Sequence, residues 1–275
     1  MIKEIRVNNK DDNLPGDAAG IVVGDEGCIY RLLDEKVRDI VRHYQSLNKG
    51  IRLLTPFIPN KFMGSIYKII EELSSRDGIK ITFNDYGLLH KCSELIFNNK
   101  ITAVLGRSLT RSIVDCPWHK ELFKHEDNEL TDSFINYSFL HQGKHDVLRD
   151  YNIKEIEINV AETKHLDKLS LTGLDLTCYF GNNLISIGRL CFSARLMKQN
   201  VGDCINNIRC LKKKYIGLDK MWGRNRLILQ KPPEAMKEYF EGMYLSGNIV
   251  YKKIHKDQYS AAARYFKNII YQYDV

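Results

Sequence analysis

Short apolar runs of strand length alternate along this chain with longer stretches whose apolar residues recur at helical spacing. No other feature limits the fold as tightly. Ile21-Val22-Val23 is followed by Tyr30 to Tyr44, where Leu32, Leu33, Val37, Ile40 and Val41 fall at helical intervals. Ile51 to Ile58 leads into a stripe of Met63, Ile66, Ile69, Ile70 and Leu73. Ile79 to Phe83 leads into Leu88 to Phe97, and Ile101 to Leu105 gives a fourth run. Ile153 to Val160 reads as a fifth strand and Leu174 to Phe180 as a sixth. Arg226 to Gln230 and Asn248 to Tyr251 complete the series as seventh and eighth. Strands joined through helices pair in parallel, because a parallel connection must cross from one end of the sheet to the other.

Eight such strands in 275 residues predict a closed TIM-like (β/α)8 barrel. A doubly wound open sheet is the alternative, and it usually carries a glycine-rich phosphate loop after its first strand. The corresponding loop here, Gly24-Asp-Glu-Gly-Cys28, lacks that spacing, and its two acidic residues would repel a pyrophosphate. The chain therefore reads as a single barrel domain over residues 1–275, with its core at about 20–255. Two segments break the rhythm. Residues 107–151 form an inserted excursion after the fourth strand, carrying Trp118 and four histidines. Leu190 to Arg224 is a cysteine-rich segment between the sixth and seventh strands. Long connections of this kind are usually functional or disordered.

Composition excludes some classes. With 44% hydrophobic and 27% charged residues the chain can build an ordinary core. No apolar run approaches the ~18 residues that span a bilayer. The first residues are charged from Lys3 onward without an apolar stretch, so a cytoplasmic location without a membrane partner is expected. In that compartment the seven cysteines are reduced, and an odd number cannot all pair. Ten of the basic residues behind the net charge of +7 lie between Arg189 and Arg226, a stretch suited to phosphates or to solvent.

In a barrel the residues just after each strand sit on the C-terminal rim, where active sites gather. Cys28 follows the first predicted strand, and Cys191, Cys204 and Cys210 lie between the sixth and seventh. Cys92 on a helix and Cys178 within a strand read as core packing, while Cys116 lies in the excursion. Thiolates suit zinc and iron–sulfur clusters. Structural zinc commonly uses short C-x₂₋₄-C knuckles. Here the spacing is long, which suits a cube-shaped cluster better. On spacing alone, a metal centre and plain packing both stay open.

The segment Ser186-Ile-Gly-Arg-Leu-Cys-Phe-Ser-Ala-Arg195, followed by Asp203-Cys204, resembles the cysteine-rich signature of the collagenase-like peptidase superfamily. Within it, the likeness is to the UbiV branch of oxygen-independent ubiquinone biosynthesis. Val23-Gly-Asp-Glu-Gly-Cys28 is similar to that branch's G-E-x-x-C, and Phe83-Asn-Asp-Tyr-Gly87 to its N/S-D-x-G. Val104-Leu-Gly106 is similar to its fourth-strand glycine turn.

The resemblance implies a [4Fe–4S] cluster. Cys28, Cys191 and Cys204 match ligand positions directly. The fourth ligand position falls on Ile208, so the nearest thiol, Cys210, takes that role with Cys116 in reserve. The resemblance further implies hydroxylation of a small organic substrate without dioxygen, in a heterodimer with a homologous barrel protein. An anionic, prephenate-like hydroxyl donor would need cations. Arg107, Arg111 and Arg195, together with Asp85 of the third-strand motif, are the candidate substrate-binding residues.

Three other functions are weighed against this one. RNA-base modification would use the basic stretch with Tyr215 and Trp222 for stacking. A peptidase would need a base beside a nucleophilic cysteine, and no local cysteine–histidine protease pattern is present. A non-catalytic accessory subunit of the heterodimer is the last.

Overall fold

The computed structural model describes residues 1–75, 78–112, 115–116, 137, 142–188, 191, 194, 216–217 and 241–271. Alternation of apolar and polar positions generates its wall. In chain order the strands are β1 (Ile2–Arg6), β2 (Gly20–Gly24), β3 (Gly50–Leu54), β4 (Ile79–Phe83), β5 (Ile101–Leu105), β6 (Glu155–Ile158) and β7 (Asp175–Phe180). Then follow β8 (Asn182–Ile187), β9 (Ile216–Gly217), β10 (Met243–Ser246), β11 (Ile249–Lys253) and β12 (Asn268–Tyr271). Strands β1 to β7 and β12 close an eight-stranded barrel in the order β1-β12-β7-β6-β5-β4-β3-β2, every pair parallel.

The expected α/β barrel is therefore present, but two of its strands are not those expected. The wall uses Ile2–Arg6 and Asn268–Tyr271, both outside the predicted core of 20–255. The predicted eighth strand instead forms part of β11 in a separate antiparallel sheet, β8-β11-β10-β9. The predicted seventh, 226–230, lies outside the described residues. The cysteine-rich segment thus falls between β7 and β12, the last two wall strands in sequence. The reason is chemical. Glu4 and Arg6 of β1 are buried charged residues inside the wall, so that strand shows no apolar run, while in β12 the short run Ile269-Ile270-Tyr271 follows the buried polar Asn268.

Helices cover the outside: α1 (Ile29–Leu33), α2 (Glu35–Ser46), α3 (Asn60–Leu73), α4 (Tyr86–Lys91), α5 (Ser93–Phe97), α6 (Gln142–Asp150), α7 (Thr163–Ser170) and α8 (Lys256–Ala262). The predicted helix from Tyr30 to Tyr44 is broken because the Asp34 carboxylate caps α2, accepting from the Lys36 amide at 3.1 Å. Val37, Ile40, Val41 and Tyr44 of α2 and Ile66, Ile69, Ile70 and Leu73 of α3 pack on the outward strand residues Ile21, Val23, Ile51 and Leu53. Helix α6 lies within the expected insertion and serves as the crossover into β6.

The barrel interior is small and largely polar. Val22, Leu54, Tyr179 and Ile270 form its apolar cluster. Beside them the fully buried Arg52 forms ion pairs with Glu4, Glu155 and Glu157. Lys80 reaches Glu155 at 2.7 Å, the Thr82 hydroxyl donates to Glu157 at 2.6 Å, and the Thr177 hydroxyl donates to Glu155 at 2.6 Å.

Candidate functional site

Parallel strands bring the residues that follow them to one mouth. After β2, Gly24 turns the chain at φ +100°, and a Cβ there would sit 2.4 Å from the Leu54 carbonyl oxygen. The next residue, Asp25, fixes the loop. Its carboxylate accepts from the Gly27 amide at 2.7 Å, from Arg6 at 2.8 Å and from Arg31 at 2.6 Å. Burial alone would raise the Asp25 carboxyl, but Arg6 and Arg31 outweigh it and hold the group below its ordinary value. The loop delivers Cys28 to the N-terminus of α1. Desolvation, reinforced by the Asp25 carboxylate, pushes the Cys28 thiol up to about 12.

A hairpin from the small sheet docks against this loop. β10 and β11 are joined by Gly247 and Asn248, with positive φ only at Gly247, the pattern of a type II′ turn. The Asn248 amide donates to the Gly27 carbonyl at 3.1 Å. Its carbonyl accepts from the Gly188 amide at 2.8 Å, and its side-chain Nδ2 donates back to the Gly188 carbonyl at 2.7 Å. One residue therefore joins the loop that ends in Cys28 to the chain leaving β8 toward Cys191. Cys191 is partly exposed, and its sulfur accepts from the Ala194 amide at 3.4 Å.

Beneath the hairpin the mouth is plugged by charge. Arg107, just past β5, forms a buried ion pair with Glu26. It also donates to the Asn182 carbonyl at 3.0 Å. Its guanidinium lies 3.7 Å from the Tyr179 ring centroid and 5.7 Å from that of Tyr251. The Tyr251 hydroxyl donates to Glu26 at 2.9 Å, so the hairpin is fastened at its tip and along β11. Burial opposes the charge on Arg107, but Glu26 prevails and raises its pKa.

The expected substrate-binding residues hold structural bonds here. Asp85 caps α4, accepting from the Leu88 amide at 2.9 Å, and also accepts from the Ile58 amide at 3.3 Å. Arg107 is committed to Glu26. Arg111 donates to the Ile185 carbonyl at 2.6 Å, bracing β8. The neighbouring motif glycine, Gly106, leaves room for Asn84, whose amide donates to the Thr55 carbonyl at 2.8 Å while its oxygen accepts from the Ser108 amide at 3.0 Å. Arg195, Cys204 and Cys210 lie outside the described residues, as do Tyr215, Trp222 and most of the basic stretch. Cys92 and Cys178 pack in the core, and burial raises both thiols.

Among the described residues no group of three or more His, Cys, Asp or Glu side chains is arranged to hold a metal ion. No helix among them is long and apolar enough to cross a membrane. An open groove beside Leu148, Asn152, Ile153 and Leu174 lies at the opposite end of the barrel, where strands β6 and β7 begin. Sequence reading missed Tyr179, Tyr251, Gly247 and Asn248. Only Gly247-Asn248, a hairpin-type dipeptide between apolar runs, carried a local signal.

No protein-family model matches the chain, and no curated protein matches it. Among solved structures it is similar to the U32 peptidase Mk0906, at 12% identity and a TM-score of 0.44, over 100% of this chain and 93% of that one.

Proposed function

We propose that this chain is an iron–sulfur protein with a [4Fe–4S] cluster at its C-terminal mouth, held by Cys28, Cys191, Cys204 and Cys210. It serves oxygen-independent hydroxylation, or a related redox modification, of a small organic substrate, paired with a homologous barrel protein. The observation that carries this reading is the clasp at Asn248, which tethers the approaches to Cys28 and Cys191 on the same side of the molecule. The donor chemistry fits as well, since thiolates are the ligands such clusters use.

The cluster would supply electron transfer or a site that orients the hydroxyl donor. The chain's own residues do the rest. Arg6 and Arg31 neutralise Asp25 beside the Cys28 position, and the Arg107–Glu26 pair closes the barrel beneath it. Cys28 would hold the cluster as a thiolate, so loading would release its proton and would strengthen with pH.

The test is anaerobic purification of the full chain with iron and sulfide quantification and a visible absorption spectrum. It is repeated for Cys28→Ser, Cys191→Ser, Cys204→Ser and Cys210→Ser. Iron and sulfide in the wild type, lost in all four variants, is the expected result. Retention in Cys210→Ser with loss in Cys116→Ser would move the fourth ligand. An iron-free wild type, or a Cys28→Ser variant that loads fully, would overturn the reading.

A further inference from the structure

The tip of the β10–β11 hairpin occupies the space between the two cysteine-bearing segments with unusual economy of atoms. Gly247 sits at φ +62°, and a Cβ on it would lie 2.2 Å from the Gly27 carbonyl oxygen. A Cβ on Gly27 would in turn lie 3.0 Å from the Ser246 carbonyl oxygen. Gly247 thus permits a backbone approach that a side chain there would prevent, and a side chain at Gly27 would fit only tightly. Next to them, Asn248 spends its amide on Gly27 and its carbonyl and Nδ2 on Gly188.

The remaining polar atom of Asn248 is informative. The residue is 9% exposed, and among the described residues its Oδ1 has no hydrogen-bond partner. A buried acceptor left unpaired costs about 1–3 kcal/mol. An apolar residue would avoid that penalty while forfeiting one neutral hydrogen bond to Gly188, so global stability gains little from asparagine at this position. What the asparagine side chain does supply is a second bond to Gly188, three residues before Cys191, beside a backbone bond to Gly27, one residue before Cys28.

We infer that Gly247 and Asn248 are positioning residues for the proposed cluster: the hairpin tip sets the distance between the Cys28 and Cys191 segments without touching the metal. This inference rests on the cluster reading and names a third element of the same site, one contributed from the far side of the cysteine-rich segment. Residues that orient ligands from outside the coordination sphere commonly change metal affinity by about 10–100-fold when replaced.

The experiment uses the full chain, reconstituted anaerobically with iron and sulfide, in three forms: wild type, Asn248→Ala and Gly247→Ala. The readouts are iron and sulfide per chain, the rate of iron loss to a chelator, and thermal unfolding of the metal-free protein. Leu171→Ser, at the other end of the barrel, is the control. Asn248→Ala should lose iron to the chelator about tenfold faster than wild type while its metal-free unfolding temperature stays close to wild type. Gly247→Ala should load poorly. Should Gly247→Ala fail to fold, Asn248→Ala alone decides. Wild-type loading and retention in Asn248→Ala would overturn the positioning role and leave the cluster reading standing. No iron in the wild type would overturn both.

Discussion

The Tyr179 hydroxyl meets the Glu157 carboxyl at 2.8 Å inside a barrel where one arginine, Arg52, faces three carboxylates. With Lys80 on Glu155, two cations oppose Glu4, Glu155 and Glu157, which leaves one negative charge in excess. A proton on Glu157 removes it. Burial, against the pull of Arg52, raises the Glu157 carboxyl to about 7, with Glu26 adding to the rise. Burial also works on Glu155, but Arg52 and Lys80 outweigh it and hold that group at about 2.

Glu157 gives the first prediction its sign. Its folded pKa exceeds the unfolded one, so the folded state binds the extra proton. Its contribution is full below the unfolded value of 4.5 and is lost as pH rises through about 7. Glu155 acts in the opposite sense, stabilising above 4.5 and failing only as pH falls toward about 2. Urea unfolding should therefore show wild-type stability declining between about pH 5 and pH 8, by no more than about 3 kcal/mol from this group. Glu157→Gln should flatten that decline. Parallel pH profiles for the two proteins would contradict the assignment.

Arg107 and Glu26 give the second. Both are shut off from water, at 1% and 0% exposure, so removing either leaves an uncompensated buried charge. Glu26→Gln should cost about 3–5 kcal/mol in denaturant unfolding. Combining it with Arg107→Met should recover a large part of that loss. A Glu26→Gln variant within about 1 kcal/mol of wild type would show that the pair is not the plug described.

For Asp85, capping predicts a thermodynamic effect. Asp85→Ala should destabilise the fold by about 1 kcal/mol, and Asp85→Asn by less, since the amide oxygen can still accept from Leu88. Silence in both variants would contradict the capping role.

The barrel was legible wherever its strands carry outward apolar residues on both sides of a polar one, as in Ile79-Lys-Ile-Thr-Phe83. It was illegible at β1, where Lys3, Glu4 and Arg6 leave only Ile2 and Ile5 apolar. Glu4 and Arg6 make β1 look like a solvated terminus, and only their partners Arg52 and Asp25, far away in sequence, reveal that both are buried. Misplacing β1 shifted the count, and the hairpin strand at 249–253 filled the vacancy. Cys28 and Cys191 stand as proposed ligands on residue type, position and the resemblance. Gly247-Asn248 could be read as a turn, but the bonds of Asn248 to Gly27 and Gly188 could not, because they join residues about 220 and 60 positions away along the chain.

Iron K-edge X-ray absorption on the anaerobically purified full chain probes the mouth most directly. The account predicts iron surrounded by sulfur in the wild type, and loss of that iron in Cys28→Ser. Iron ligated only by oxygen and nitrogen, or a Cys28→Ser spectrum identical to that of the wild type, would contradict it.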